Sequence, residues 1–327
     1  MSATSGESEL TLQSVGEFEI ITRIREITNA QAQDLPKPIV DSGDDSAVIA
    51  MGKEDLVVSV DLFVEGRHFK TDWATALEIG RRCAAAAMSD ICAMGTAPTS
   101  ILVGLAAPAD TSVAFIRELT TGLAHEAAAA GARVVGGDLS SADSIVVSVT
   151  AIGSMKPKDV VTRSGAQVGD VVAIHGRLGM AAAGLRVLQR GLRSPRVLVD
   201  AYRYPEIDYS AGVRARTAGA KAMADVSDGL VADLGHIAAA SGVTIDIESA
   251  SLPVPEALTS AASAFGADPL AWILTGGDDH ALAAVFPSNT ELPQGFVAIG
   301  IVREQADDLV LVDSEQAPSE GGFSHFG

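Results

Sequence analysis

Aspartates recur beside glycine or serine along this sequence, and that combination is suited to one kind of chemistry. The pattern occurs six times, at Gly43-Asp44-Asp45, Ser59-Val60-Asp61, Ser89-Asp90, Gly137-Asp138, Asp225-Val226-Ser227-Asp228-Gly229 and Gly277-Asp278-Asp279. Hard divalent cations take oxygen ligands from several segments, and glycine lets backbone N–H groups approach a phosphate closely. Any single aspartate is more readily structural, because aspartate favours loops and helix caps. The whole set predicts magnesium-assisted phosphate chemistry.

Several common nucleotide-binding and hydrolase signatures are absent from the sequence. Gly52-Lys53 is followed by Glu54 and lacks the upstream glycine of a phosphate-binding loop. The glycines of Gly176-Arg177-Leu178-Gly179 have the wrong spacing for a dinucleotide-binding turn. Neither HExxH nor GxSxG occurs. The sequence therefore carries none of the usual ATPase, dehydrogenase, zinc-protease or hydrolase motifs.

The predicted strands and helices indicate how scattered aspartates reach one site. In the first half, strands are predicted over 56–60, 100–105, 133–135 and 144–152. Helices are predicted over 17–28, 112–130 and 75–88, the last continuing or restarting through 91. In the second half, helices are predicted over 180–189 and 230–241, and strands over 171–174, 243–247, 281–285, 297–302, 309–312 and a short run ending at Asp225. We expect Asp61, Asp138 and Asp225 to lie where strands end.

The chain is predicted to form two domains, because 327 residues exceed what one hydrophobic core usually holds. The segment 153–170 has the glycine and proline content of a joint. We therefore predict an N-terminal domain over 1–155 and a C-terminal domain over 156–327. Both mix strands and helices, so the predicted class is α+β (mixed α/β), and the alternation is too irregular for a doubly wound parallel sheet.

Composition and charge exclude several classes of protein. The formal net charge of −19 repels nucleic-acid phosphates, so no nucleic-acid partner is expected. This acidity is compatible with phosphate handling through metal ions, and equally with a role in solubility alone. No apolar run is long enough to span a bilayer and the first ten residues are polar, so no membrane partner is expected and the predicted location is cytoplasmic.

The two cysteines, Cys83 and Cys92, are predicted to be small buried hydrophobes. If both lie on one helix, nine residues turn them to opposite faces, and they cannot form a disulfide. Neither has the CxxC or histidine neighbours of a zinc site.

A set of motifs, taken in order along the chain, resembles the thiamine-monophosphate kinases. The motifs are spread over nearly the whole sequence and are Gly16-Glu17-Phe18, Gly43-Asp44-Asp45-Ser46-Ala47, Ser59-Val60-Asp61, Val64-Glu65-Gly66-Arg67-His68-Phe69, Ser89-Asp90-Ile91-Cys92-Ala93-Met94-Gly95, Gly136-Gly137-Asp138, Thr162-Arg163-Ser164-Gly165-Ala166, Asp225-Val226-Ser227-Asp228-Gly229-Leu230 and Gly276-Gly277-Asp278-Asp279. Each motif alone is weak, but together they are highly specific.

The resemblance implies a two-domain fold of the aminoimidazole-ribonucleotide-synthetase type, with an N-terminal domain of sheet and helices and a C-terminal α/β sandwich. It implies ATP-dependent conversion of thiamine monophosphate to thiamine diphosphate with several Mg²⁺ ions. The N-terminal domain is then expected to bind ATP and magnesium and to pair into a homodimer, while the C-terminal domain completes the nucleotide and substrate site. Because a phosphate monoester is largely ionised near neutral pH, we expect direct in-line transfer without a phosphoenzyme.

The resemblance also implies a role for each matching residue. Magnesium ligands are implied at Asp45, Ser59, Val60 (through its backbone), Asp61, Asp90, Asp138, Asp225 and Asp228. Contacts with ATP are implied at Gly137, Asp138, Arg163 and Ser227, and contacts with the substrate at His68, Asp278 and Phe323. The residues implied to be catalytic are Asp61, Asp138 and Arg163.

Residue type alone leaves structural alternatives open for several of these positions. His68 has the alternative of a half-buried histidine with satisfied hydrogen bonds, and Arg163 that of a surface charge. Asp228 has the alternative of capping the next helix, a role compatible with ligand contact. Asp44 and Asp279 are predicted to be structural.

Two motifs differ from the usual form of the family. The usual Gly-Gly-Glu-Asp-Tyr-Glu-Leu is replaced by Gly276-Gly277-Asp278-Asp279-His280-Ala281-Leu282. The shorter Asp278 then reaches the substrate directly or through a water molecule. Near the C-terminus, Phe323 stands where Tyr or Trp is common, so ring stacking is retained while the polar hydrogen bond is lost.

Other proteins of this fold remain as alternatives. Selenophosphate synthetase needs a reactive cysteine near its N-terminus, and the first cysteine here is Cys83. The hydrogenase-maturation type ends in cysteine, whereas this sequence ends at Gly327. A purine cyclo-ligase lacks the His-Phe and Ser-Asp-Gly-Leu contexts in this form. A non-catalytic regulator that binds metal or nucleotide is also compatible with the motifs, and turnover distinguishes it from a kinase.

Overall fold

Two β-sheets, one in each half of the chain, organise the computed structural model, which describes residues 39–40, 44–45, 47–51 and 53–318. The first half contains the strands β1 (Ala47–Met51), β2 (Glu54–Val64), β3 (Pro98–Ala107), β4 (Arg133–Ser141) and β5 (Val146–Met155), and the helices α1 (Ala76–Ala93) and α2 (Val113–Ala129). The strand order is β1-β2-β5-β3-β4. Only the β3–β4 pair is parallel among these described strands.

The second half forms a seven-stranded sheet with helices packed around it. Its strands are β6 (Val171–His175), β7 (Ala222–Val226), β8 (Thr244–Ile247), β9 (Ala281–Phe286), β10 (Phe296–Arg303), β11 (Val310–Val312) and β12 (Glu315–Gln316). Its helices are α3 (Met180–Gln189), α4 (Arg196–Arg203), α5 (Ala211–Thr217), α6 (Leu230–Ser241), α7 (Glu256–Phe265) and α8 (Pro269–Thr275). The order is β12-β11-β8-β10-β6-β9-β7. The predicted mixed α/β class is therefore confirmed.

Helix α1 lies between the two sheets. It begins with a capping box in which the Thr75 side chain accepts from the Glu78 backbone and the Glu78 side chain accepts from Thr75. A run of small residues follows, and nearly all of α1 is buried, as expected for a helix covered on more than one side. It packs on β2 and β5 of the first sheet and on β7 of the second. The helix predicted over 75–88 is confirmed and continues unbroken to Ala93.

The two cysteines lie on this helix, and the prediction made for them is confirmed. Cys83 and Cys92 are both buried and free.

Across the described part of the chain, the helices do not combine the length and apolar character needed to cross a membrane. The helix predicted over 17–28 lies outside the described residues.

The prediction that aspartates follow the ends of strands was wrong for Asp61 and Asp138, and Asp90 lies within helix α1. Asp61 is an interior residue of β2, which tolerates a carboxylate because that face opens onto a cleft. Asp138 is an interior residue of β4, an edge strand exposed along its whole length, where polar side chains do not interrupt pairing. The aspartates are thus placed by which face of an element they occupy.

Two glycines allow α1 and α2 to pack in backbone contact. A Cβ atom added at Gly80 would overlap the carbonyl oxygen of Leu119, and one added at Gly122 would overlap that of Leu77. Since backbone atoms in packed helices cannot move aside locally, any larger residue must separate the helices.

We therefore expect Gly122→Ala to lower the free energy of unfolding by about 3 kcal/mol, measured by urea denaturation. Gly235→Ala in α6 is the matched control, because its added Cβ meets no atom closer than 3.9 Å. Alanine favours a helix over glycine, so this control should gain up to about 1 kcal/mol. Equal stability of Gly122→Ala and the wild type would contradict the close packing of α1 on α2.

Candidate active site

Three aspartates from different elements meet in the interior between the two halves. Asp45 precedes β1, Asp90 lies on α1 and Asp225 lies on β7, and one carboxylate oxygen from each falls within 4.8 Å of the others. The chain brings them together because α1 packs against both sheets. Three carboxylates this close repel one another strongly unless cations or protons compensate them.

Asp45 is paired with an arginine from the segment that joins the halves. Its side chain is 1% exposed, and its Oδ1 atom forms an ion pair with the Arg163 guanidinium. Burial raises the pKa of Asp45 to about 7 although the charge of Arg163 opposes the shift. The backbone N–H of Arg163 donates to Asp44 at 3.0 Å, which holds the joint against this part of the chain.

Asp90 is compensated differently. Its Oδ2 atom accepts a hydrogen bond from the Ser59 hydroxyl at 2.5 Å. Burial, followed by the charges of Asp61 and Asp225, raises the pKa of Asp90 well above its usual range. The charged form of Asp90 is therefore unfavourable in this structure unless a positive charge lies beside it.

Asp225 is held by two donors. Its Oδ2 atom accepts from the Ser89 hydroxyl at 2.9 Å and lies 3.1 Å from Nδ1 of His280. Burial acts to raise the pKa of Asp225, but the hydrogen bond and charge of His280 outweigh it and leave the pKa lowered. The pKa of buried His280 is correspondingly raised, because Asp225 outweighs the effect of burial.

The donor set fits a hard divalent cation. Asp45 Oδ2 is buried and has no hydrogen-bond partner among the described residues, so this member of the cluster keeps an unsatisfied acceptor atom. Orphaned buried acceptors are costly, and clustered carboxylate oxygens are the ligands that Mg²⁺ and Ca²⁺ prefer. The residues that would hold the ion are Asp45, Asp90 and Asp225.

Other predicted magnesium ligands lie beside this cluster. Asp61 lies on the same face of β2 as Ser59 and close enough to Asp90 to raise its pKa. The side chain of Val60, between them, points the other way and is 61% exposed, so only its backbone faces the site. Ser59 already bonds to Asp90.

Ser227 and Asp228 follow β7 and line the same cleft. The alternative that Asp228 caps the next helix was wrong, since Gly229 is the N-cap residue of α6 and has φ 131°. The backbone N–H groups of Asp228 and Gly229 donate instead to Asp233, in the first turn of α6, at 3.0 and 3.1 Å. Asp233 therefore fixes the turn that leads into α6.

Gly137 and Asp138 are not brought to the cluster within one chain. Their strand, β4, is separated from β2 by β5 and β3, which places it roughly 14 Å away at about 4.8 Å per strand. Along the sheet Asp138 pairs with Gly104, Gly104 with Ser148, and Ser148 with Leu62. Paired residues share a face, so Asp138 lies on the outer face with Leu62, opposite to Asp61.

A cleft of about 780 Å³ runs from the aspartates between the two halves. His68 lines it, with Nδ1 accepting from the Val64 backbone at 2.9 Å and the ring packed edge-on to Phe63. Asp278 lines it from the opposite half. Phe323, the third predicted substrate contact, lies outside the described residues.

Asp279 occupies the structural position predicted for it. Its Oδ1 atom accepts from the backbone N–H of Ala181 at 2.9 Å and so ties the loop before β9 to the start of α3. Asp279 is buried, and burial raises its pKa to about 7 although the backbone donors oppose the shift.

Sequence reasoning missed several residues of the site, among them Ser89 and His280, which hold Asp225, and Arg82, Tyr202 and Trp73, which line the cleft. Ser89 and His280 belong to motifs that were recognised for their aspartates alone. The only signal for Arg82 was a charged residue just before the run of alanines that begins at Ala84, and Tyr202 carries no local signal.

Comparisons with known proteins agree with this arrangement. Residues 43–155 match the AIR synthase related protein, N-terminal domain, and residues 167–318 match the corresponding C-terminal domain. A thiamine-monophosphate kinase of Mycobacterium tuberculosis is 43% identical over 318 residues, covering 97% of this chain and 93% of that protein. One of Corynebacterium glutamicum is 39% identical over 325 residues, covering 97% and 95%.

A solved structure described as AaThiL complexed with AMPPCP and TMP superposes with a TM-score of 0.88 at 29% identity, covering 97% of this chain and 99% of that one. The two sheets and the cleft between them thus define a two-domain protein of the AIR synthase related class. Within that class, identities of about 40% across nearly the full length are decisive. The chain belongs to the thiamine-monophosphate kinase family.

The raised pKa of Asp279 predicts a pH-dependent stability. The folded-state pKa of about 7 lies above the unfolded value of about 3.9, so the folded protein retains a proton that the unfolded chain releases. The contribution of this group to the free energy of unfolding is therefore present at low pH and lost as pH rises through about 7.

Asp279→Asn keeps an acceptor for Ala181 and cannot ionise. Between pH 5 and pH 8 we expect it to lose roughly 1–3 kcal/mol less stability than the wild type, measured by urea denaturation at several pH values. Asp110→Asn, at an exposed position, should keep the wild-type dependence. Parallel stability curves for Asp279→Asn and the wild type would rule out ionisation of Asp279 in this range.

Proposed function

We propose that this chain transfers the γ-phosphoryl group of ATP to thiamine monophosphate directly, in line and with magnesium ions between the reacting anions. The phosphorylation of thiamine monophosphate by ATP is the activity of the family to which the chain belongs. The observation that carries the mechanism is the group of three buried carboxylates, one with an orphaned oxygen, at a cleft between the halves.

The chain's own residues position and neutralise the reacting groups. When bound, Mg²⁺ supplies positive charge that neutralises phosphate oxygens and aligns them. Asp45, Asp90 and Asp225 hold the ions, with Asp61, Asp228 and the Ser59–Val60 segment as further ligands. Arg163, whose Nε atom is buried and without a partner among the described residues, is placed to turn its guanidinium from Asp45 to the nucleotide phosphates.

No nucleophilic side chain is required for this transfer. The acceptor phosphate is itself the nucleophile and is largely ionised near neutral pH. Burial raises the pKa of the thiols of Cys83 and Cys92, so neither is an available thiolate. Direct transfer without a phosphoenzyme follows, with Ser227 contacting ATP and His68, Asp278 and Phe323 contacting the acceptor.

We further propose that residues 1–155 bind ATP and magnesium and pair into a homodimer, that residues 156–327 complete the site, and that the enzyme works in the cytoplasm. The outer face of the first sheet supports the dimer. Val60 and Leu62 on this face are 61% and 55% exposed, and Leu102 is exposed beside them. Exposed apolar side chains in adjacent rows are typical of a face that another subunit covers.

The position of Asp138 supports a site shared between subunits. Asp138 lies on this outer face in the same row as Leu62, too far from Asp61 to bind the same ions within one chain. A second copy that covers the face brings the Gly137-Asp138 segment of one subunit towards the cleft of the other. Asp138 then serves as a ligand in trans.

The decisive experiment is turnover of thiamine monophosphate to the diphosphate with ATP and Mg²⁺, in the wild type and in two variants. Asp61→Asn and Asp138→Asn should each lower kcat at least about a hundredfold, with circular dichroism and thermal melting close to wild type. ATP binding without any turnover by the wild type would instead favour a non-catalytic regulator.

Co-expression of the two variants separates a shared site from a self-contained one. A mixed dimer keeps one complete site, because the Asp138 of the Asp61→Asn subunit serves the partner that retains Asp61. About a quarter of wild-type activity should return in a random mixture. No recovery would place Asp138 in its own subunit's site, and near-normal activity of either variant alone would remove that residue from the ligand set.

A further inference from the structure

Arg82 is a buried arginine in the middle of an alanine-rich helix. Only 6% of the residue is exposed, and arginine is rarely buried to this degree unless its charge is paired. Arg82, Ala86 and Asp90 are spaced four residues apart on α1, and all three line the cleft. They therefore form one stripe of the helix, with Arg82 about 12 Å along the axis from Asp90.

The Arg82 guanidinium contacts the other half of the chain. Nη2 pairs with Asp278 Oδ2 at 2.8 Å, and Nη1 donates to the backbone carbonyl of Tyr202. The guanidinium also lies over the Tyr202 ring, 4.3 Å from its centroid. Burial acts to lower the pKa of Arg82, but the charge and hydrogen bond of Asp278, together with Tyr202 and Cys83, offset it and leave the pKa raised. Arg82 thus ties α1 to α4 and to the loop that carries Asp278.

The ion pair with Arg82 matters for Asp278 because the backbone of Asp278 is strained. It has a φ of 67°, a left-handed conformation that is uncommon for residues other than glycine. Its N–H donates to the Ser227 carbonyl at 2.8 Å, which fixes the turn but leaves the side chain to be oriented by Arg82. With Oδ2 engaged by Arg82 and 42% of the side chain exposed, the other oxygen is available to the cleft.

The cleft therefore has two chemically distinct parts. The carboxylates around Asp90 are suited to metal-bound phosphates. The part about 12 Å along α1 combines the Asp278 carboxylate oxygen that Arg82 does not bind with two aromatic side chains, Trp73 and Tyr202, which pack edge-to-face with each other. A cationic or amino-bearing heteroaromatic ring fits this second part, because the Asp278 carboxylate attracts it and the two aromatic side chains offer apolar contact area. Arg82 already covers one face of the Tyr202 ring, and Lys70 lies over the Trp73 ring, 4.5 Å from its centroid.

We propose that Arg82 is a specificity-determining residue that presents Asp278 to the ring end of the phosphorylated acceptor and has no part in binding ATP. This assignment rests on the proposed function and adds to it a residue on which acceptor recognition depends. Arg82 acts through Asp278: the guanidinium fork fixes which carboxylate oxygen faces the cleft.

The test compares neighbouring arginines of α1. Arg82→Gln removes the charge and the fork, and should raise KM for thiamine monophosphate about tenfold while KM for ATP stays within about twofold. Arg81→Gln is the matched control, since Arg81 pairs with Glu126 at 2.9 Å and packs on Tyr204, away from the cleft. It should leave both KM values unchanged.

A double-variant cycle distinguishes orientation of Asp278 from general support of the fold. Asp278→Asn should also raise KM for thiamine monophosphate, and Arg82→Gln combined with Asp278→Asn should be no worse than the more damaging single change. Arg82→Lys keeps the charge but loses the fork, so its KM for thiamine monophosphate should lie between those of the wild type and Arg82→Gln. If Arg82→Gln does not fold, Arg82→Lys replaces it in the test.

The outcomes separate this inference from the proposed function. An unchanged KM for thiamine monophosphate in a folded Arg82 variant, or independent effects that multiply in the double variant, would overturn the role of Arg82 while wild-type turnover upholds the activity. Equal rises in KM for ATP and for the acceptor would also overturn it. If the wild type makes no thiamine diphosphate, the proposed function and the role of Arg82 are both contradicted.

Discussion

Three buried carboxylates repel one another at the centre of the site, and the surrounding residues are arranged to compensate this repulsion. Asp45, Asp90 and Asp225 come from three separate elements, and their oxygens lie within 4.8 Å of one another. Hydroxyl, imidazole and guanidinium groups compensate them only in part, and Asp45 keeps one buried oxygen without a described partner. Such an arrangement is unfavourable for stability alone, which is why it indicates a cation site.

Helix α1 brings the aspartates of the two halves together, and it also connects the aspartate cluster to the other end of the cleft. Its small side chains allow both sheets to approach, so that Asp90 meets Asp225 of the opposite half. The same helical stripe carries Arg82, whose ion pair with Asp278 joins the halves at the other end of the cleft. One helix thus sets both the phosphate end and the ring end of the site, and its spacing fixes the distance between them.

The sequence predicted much of the architecture and most of the residues around the cleft, because ordered motifs identify positions even when their contacts are unknown. The helices α3 and α6 were predicted with the bounds that the structure gives. The helices α4, α5 and α8 were not predicted, since seven or eight residues carry too little periodicity to be distinguished from loops, and the ten-residue α7 was missed as well. Asp138 shows a second limit: its motif was recognised, but the face it occupies depends on strand register across β3 and β5.

The central claim is that the aspartate cluster is a cation site that is under electrostatic strain without its ions. Thermal melting of the wild type and of Asp90→Asn, in EDTA and in Mg²⁺ at matched ionic strength, tests it most directly. In EDTA the variant should melt at or above the wild type, because one of the repelling carboxylates is gone. Mg²⁺ at about 100 times its Kd should raise the wild-type Tm by roughly 5 °C or more and the variant's far less. An Asp90→Asn protein that melts lower in EDTA yet gains as much from Mg²⁺ as the wild type would contradict the account.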